Sequence, residues 1–185
     1  MAAMTIKPVP NIFLTGFMGS GKTTIGRMAA RSIGFTFYDI DEIIETQTGK
    51  VIPDIFRLDG EPFFRAMERQ ILEALAQKKN VVVSLGGGTL IYPENIATVK
   101  SSGILIYLSA EPEEIWERVK STNKRPLLQK SDGTIVGEND AIGHIEGLLN
   151  VRLSGYQCAD VIIHTDNKTE EEVLAMILEF LSIYS

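Results

Sequence analysis

The chain has 185 residues, 44% of them hydrophobic and 23% charged, which suits one well-buried domain and excludes both a disordered chain and two ordinary domains. Its net charge of −6 argues against a duplex nucleic-acid partner, but leaves small anions open, because local fields decide those. A single cysteine, Cys158, excludes an internal disulfide and a cysteine-built zinc site, and reads as an inert buried thiol.

The opening MAAMTIKPVP has no long apolar core and no Arg-rich amphipathic pattern, so neither a signal nor a transit peptide is expected. No apolar run approaches the roughly 18 residues of a spanning helix. A cytoplasmic protein with no membrane partner is the expectation. NIFLT, 11–15, is a short apolar run ending at a glycine and reads as a buried strand. Lys22 to Ile33 has helical spacing, with Ile25, Met28, Ala29 and Ile33 on one face, and Gly34 stops it. TFY, 36–38, is a second strand candidate, and DEIIETQTG a helix ended by Gly49. Glu61 to Gln77 is a longer helix carrying Phe64, Met67, Ile71, Leu72 and Leu75. Val81–Val83 and ILIYL, 104–108, are wholly apolar strands; EPEEIWERVK follows the second as a helix. Trp116 in it reads as a packing residue. VIIH, 161–164, is the last strand, and Thr169 with Glu172 forms a capping box for the last helix.

Apolar strands alternating with helices imply an α/β domain with a parallel sheet covered on both sides. The exception is Ser121 to Asn150, polar and turn-rich, with little apolar periodicity before Ile142. It is expected to be a mobile excursion from the core. His144 within it reads as an exposed or helix-end residue.

Chemistry is written most plainly in GFMGSGKTT, Gly16 to Thr24. The pattern Gly16-x4-Gly21-Lys22-Thr23 matches the P-loop in full, with a strand before it and a helix after. Glycines let several backbone N–H groups converge on one anion, and the helix adds the positive end of its dipole. Lys22 would reach the β- and γ-phosphates, and Thr23 would offer its hydroxyl to Mg²⁺. Twenty residues on stands YDID, with Asp39 and Asp41. In an extended chain both carboxylates project the same way, one toward a metal's waters and one toward a substrate hydroxyl. The plainer reading is a helix cap. Arg65 and Glu68 lie at i, i+3 in FFRAMER, whereas Arg69 and Glu73 read as a surface pair. Gly86, Gly87 and Gly88 end the strand VVVSL, where parallel sheets bind ligands.

Together GFMGSGKTT, YDID, FFRAMER, SLGGG, RVKSTNKRPLL and VRLSGYQCADVII resemble the shikimate kinase family over nearly the whole chain. The resemblance implies a three-layer P-loop kinase fold of the nucleoside-monophosphate-kinase type. Its parts are a five-stranded parallel sheet flanked by helices, a substrate-binding helical region over about 39–68, and a mobile lid over about 122–142. The activity implied is ATP- and Mg²⁺-dependent phosphorylation of the 3-hydroxyl of shikimate, a step in aromatic amino-acid biosynthesis, by a single-domain monomer. Carried over, the resemblance places nucleotide on Gly19, Ser20, Gly21, Lys22, Thr23 and Thr24, with Arg118 near adenine and Arg125 near the transferred phosphate. Asp41 is the candidate base and Asp39, with Thr23, stands on the metal side. Arg65 and Arg152 would bind the shikimate carboxylate, beside Gly86, Gly87 and Gly88. The stretch QKSDGTIVGENDAIGHIEG aligns with no familiar lid, so Arg152 is assigned across a gap. The alternatives are a gluconate- or nucleotide-kinase-like enzyme, or a P-loop binding protein without activity.

Overall fold

The computed structural model describes residues 10–120 and 138–184. Five strands form one sheet in the order β2-β3-β1-β4-β5: β1 Asn11–Thr15, β2 Thr36–Asp39, β3 Val81–Ser84, β4 Gly103–Ser109 and β5 Val161–His164. All four pairings are parallel, with Ile12 opposite both Val82 and Ile104. Every residue of β1 is buried, as a central strand covered on both faces must be. The outermost strands β2 and β5 are only partly buried.

Strand alternation sorts the core into two layers. Phe13, Val83 and Leu105 face a cluster with Ile40, Phe64, Leu72 and Val99. This layer holds α2 (Ile40–Thr48), α3 (Ile52–Leu58), α4 (Glu61–Ala76) and α5 (Pro93–Ser102). Ile12, Leu14, Val82 and Ile106 face the other way, onto α1 (Lys22–Ile33) and α8 (Glu170–Ser182). The helix after β1 and the helix after β3 thus cover opposite faces. That makes the carboxyl ends of β1 and β3 a topological switch point, where a crevice opens. The P-loop follows β1, and the three glycines follow β3.

A third cluster joins Phe17 to α6 (Pro112–Val119) and α7 (Glu138–Tyr156) through Ile115, Trp116, Ala141 and Ile145. Here the structure corrects the sequence reading. Residues 138–150 are the first two-thirds of a 19-residue helix and not an irregular excursion. Glycines at 143, 147 and 155 and an apolar face as sparse as Ala141, Ile145 and Tyr156 hid it. Two more helices escaped the pattern: α3 is seven residues long with only Ile55 buried, and α5 buries only Asn95 and Val99. Of the expected lid, 122–142, residues 122–137 lie outside the described residues, and so does Arg125. His144 is exposed, and Cys158 is half-buried rather than buried, its thiol 3.3 Å from the Ser154 carbonyl.

Candidate active site

Gly16 (φ 147°) and Gly21 (φ 91°) turn the chain out of β1 and into α1, in backbone regions that side chains disfavour. A Cβ on Gly16 would stand 2.5 Å from the Leu108 carbonyl, so the loop lies hard against β4. The Lys22 ammonium donates to the Phe17 carbonyl at 2.9 Å, folded back over the loop it belongs to.

Thr23, in the first turn of α1, donates its hydroxyl to Asp39 Oδ2 at 2.7 Å. The other oxygen, Oδ1, accepts the backbone N–H groups of Asp41 (3.0 Å) and Glu42 (3.4 Å) and caps α2. The cap and the partner of the P-loop threonine are therefore one carboxylate. YDID is consequently not extended through its second aspartate. The cap starts the helix at Ile40, and Asp41 lies in its first turn.

Asp41 points into the crevice, and its Oδ1 is buried with no hydrogen-bond partner among the described residues. Burial, then the neighbouring Asp39 and Glu68 carboxylates, push its pKa up from 3.8 to about 7, against the pull of Lys22. Glu68 is wholly buried on α4. It accepts Arg65 Nη1 at 2.8 Å and the Thr89 hydroxyl at 2.5 Å, while Arg65 Nε bonds Glu61 at 3.1 Å. The burial of Glu68 is not what its spacing from Arg65 suggests for a surface pair. The signal was present, because an acid stands between Phe64 and Leu72 on the stripe that α4 buries. Arg69 and Glu73 are, as expected, an exposed pair.

None of Gly86, Gly87 and Gly88 has a positive φ; they are needed for space. A Cβ on Gly86 would lie 2.5 Å from Glu68 Oε1 and 3.0 Å from Asp41 Oδ1. On Gly87 it would lie 3.0 Å from Arg152 Nη1, and on Gly88 2.8 Å from Arg65 Nη2. The protein's own charged side chains thus require the missing Cβ atoms at these three positions. Arg152 comes from α7, its guanidinium 5.1 Å from the centroid of the Phe17 ring. At the far side, Arg118 bonds the Gly19 carbonyl (3.4 Å) and both the hydroxyl (3.0 Å) and carbonyl (2.8 Å) of buried Thr165, clamping the P-loop to the segment after β5.

One cleft of about 1350 Å³ takes in the P-loop from Gly19 to Thr24, Asp39, Asp41, Arg65, Gly86 to Gly88, Arg118 and Arg152. Every site residue expected from the sequence lines it, except Arg125, which is outside the described residues. No group of three or more His, Cys, Asp and Glu is placed to cage a metal among the described residues. The pair Thr23 and Asp39 suits instead an ion that keeps waters and phosphate oxygens as ligands, as Mg²⁺ does. No described helix is long and apolar enough to cross a membrane.

Comparison with known proteins gives a consistent result. The shikimate kinase family model matches residues 18–182. A shikimate kinase of Burkholderia lata is 40% identical over 177 residues, covering 95% of this chain and 92% of that protein. The structure of a shikimate kinase from Acinetobacter baumannii in complex with shikimate superposes with a TM-score of 0.86 at 34% identity, covering 96% of each chain. A gluconokinase from Sinorhizobium meliloti covers 97% of this chain and 98% of its own, with a TM-score of 0.54 at 18% identity, and shares the fold alone.

Proposed function

The chain belongs to the shikimate kinase family, and from that premise we propose that its cleft seats ATP on Gly16–Thr24 and shikimate among Asp41, Arg65 and Arg152. The protein is an ATP-dependent phosphotransferase acting on shikimate. The observation that carries the residue assignment is one cleft in which a complete P-loop faces two guanidinium groups and a carboxylate whose buried Oδ1 has no partner among the described residues.

Shikimate is a polyol with one carboxylate, and planar arginine forks are suited to bind that group bidentately. Asp41 takes the proton of the 3-hydroxyl as the phosphoryl group arrives. A pKa near 7 matches the acid–base demand at neutral pH, provided the carboxylate has first lost its own proton. Lys22 exchanges the Phe17 carbonyl for β- and γ-phosphate oxygens and offsets charge gathering on the leaving group. Thr23 and Asp39 hold Mg²⁺, which when bound neutralises phosphate charge. Arg118 keeps the adenine side of the loop in place through Gly19 and Thr165. Arg125 serves the transferred phosphate, and 122–142 the lid; both assignments rest on the family resemblance. The region 39–68, comprising α2, α3 and the first half of α4, carries the acceptor within one domain, and the enzyme acts in the cytoplasm as a monomer.

An ATP-coupled assay with shikimate, quinate, gluconate and nucleoside monophosphates tests the acceptor. Shikimate is expected to turn over fastest. Faster turnover of gluconate or a nucleotide would overturn the reading.

A further inference from the structure

The two arginines that reach the acceptor end of the cleft stand in opposite charge environments. Arg65 is already met by two carboxylates, Glu61 at 3.1 Å and Glu68 at 2.8 Å. Arg152 has no carboxylate within ion-pair distance among the described residues. What surrounds it is aromatic. The Phe17 ring, itself part of the phosphate loop and buried, lies under its guanidinium at 5.1 Å. Tyr156, one helical turn further along α7 and only 1% exposed, meets it at Gly87. The Tyr156 ring stacks on Tyr107 with centroids 4.7 Å apart and planes 23° apart. Its hydroxyl donates to the Gly87 carbonyl at 2.7 Å. With the proton committed there, the oxygen's lone pairs are left for the Arg152 guanidinium beside it: a Cβ on Gly87 would lie 3.0 Å from Arg152 Nη1 and 3.7 Å from the Tyr156 hydroxyl.

We propose that Phe17 and Tyr156 are positioning residues for the acceptor, holding the Arg152 guanidinium in place without cancelling its charge. This rests on the reading of Arg152 as a receptor for the shikimate carboxylate. A carboxylate partner would fix the guanidinium equally well, but would compete with the substrate for the same fork. A π face and a neutral hydroxyl attract a cation and leave its net charge whole. The protein thus keeps one paired arginine, Arg65, and one arginine whose charge remains for an incoming anion. Two glycines make the arrangement possible. Gly87 leaves room for Arg152 Nη1, and Gly155 lets α7 lie against the turn at Leu90, whose carbonyl a Cβ would meet at 2.3 Å. Burial pushes the Tyr156 phenol up to about 12 despite the pull of Arg152, so the hydroxyl keeps its proton at any working pH.

Tyr156→Phe tests this, since it keeps the ring and its stack and removes only the hydroxyl. The expected result is a three- to thirtyfold weaker shikimate KM and nucleotide-free calorimetric Kd, about the range for losing one polar contact to a charged group. ATP KM and kcat should stay within about threefold of wild type, the signature of lost acceptor binding alone. Phe17→Leu, which keeps apolar bulk in the α6–α7 core and removes the π face, should likewise weaken nucleotide-free shikimate binding, the one readout compared for it because Phe17 is also part of the phosphate loop; if it does not fold, Tyr156→Phe decides alone. Unchanged shikimate affinity in Tyr156→Phe overturns the proposal, as does a fall in kcat with KM intact. Arg152→Ala, measured alongside, separates the two levels. If it binds shikimate normally, the assignment of Arg152 itself fails and takes the proposal with it. If it loses affinity while Tyr156→Phe does not, only the positioning role is refuted.

Discussion

Replacing Asp41 by Asn should make the protein more stable and nearly inactive, with a stability gain that depends on pH in a way set by the site. Asn has the shape of a protonated Asp and stays neutral at all pH. In the folded wild type the carboxyl pKa is raised from 3.8 to about 7. Between those values the folded state therefore holds a proton that the unfolded state has released. Wild-type stability must then fall as pH rises through this window, at about 1.4 kcal/mol per pH unit. Over the window from 3.8 to about 7 the total approaches about 4 kcal/mol, a ceiling that residual solvation lowers. The variant carries no such term. Urea unfolding of both proteins at intervals from pH 4 to pH 9 should show a stability difference near zero at the acid end, rising to a plateau above about pH 8. In the same variant, kcat should fall sharply, because no group remains to take the hydroxyl proton. The wild-type rate should climb with pH on an ascending limb near 7 in the free enzyme. A stability difference that is constant across pH would refute the argument, since it would mean that Asp41 ionises as freely in the folded protein as in the unfolded one.

Other substitutions separate the remaining roles. Lys22→Ala should lower kcat by about 10²-fold or more; a turnover above about a tenth of wild type would remove the lysine from the transition state. Arg65→Ala should raise the shikimate KM by about tenfold or more while moving the ATP KM little, because it removes one of the two guanidinium forks proposed for the acceptor carboxylate; equal effects on both substrates would assign Arg65 to the fold, through its pair with buried Glu68. Asp39→Asn keeps a good helix cap but loses the charge beside Thr23. A Mg²⁺ titration of the rate should therefore show a higher half-saturating concentration with shikimate affinity unchanged, and a loss of shikimate affinity instead would reverse the roles of the two aspartates. Gly155→Ala should lower Tm and destabilise by about 1–3 kcal/mol, as an overpacked backbone contact does, because its Cβ would meet the Leu90 carbonyl at 2.3 Å. A variant with wild-type Tm would show that α7 shifts freely on the turn.

What the sequence determined by itself were the features whose cause is local. A P-loop is a run of glycines with a lysine and a threonine at set spacing, and its strand and helix are marked by apolar period and by Gly34. The capping box at Thr169 and Glu172 is present as the pattern requires. Alternating apolar strands and helices were enough for a parallel sheet, because only burial on both faces leaves strands so uniformly apolar. Tertiary structure decided what depends on approach from afar. Asp39 could be read as a cap or as a metal-side group, and only the proximity of Thr23, 16 residues earlier, shows one carboxylate engaged in both contacts. The glycines of SLGGG read as a surface for a ligand, and only the fold shows that a side chain there would also meet Glu68, Arg152 and Arg65, which arrive from α4 and α7. α7 itself was missed because its support comes from α6, the turn at Leu90 and the Tyr107–Tyr156 stack, and very little from its own apolar period. The pKa of Asp41 is only partly a property of YDID. Burial raises it most, Asp39 of the same motif comes next, and then Glu68, a carboxylate 27 residues away on another helix; the burial and the Glu68 field exist only once the chain has folded.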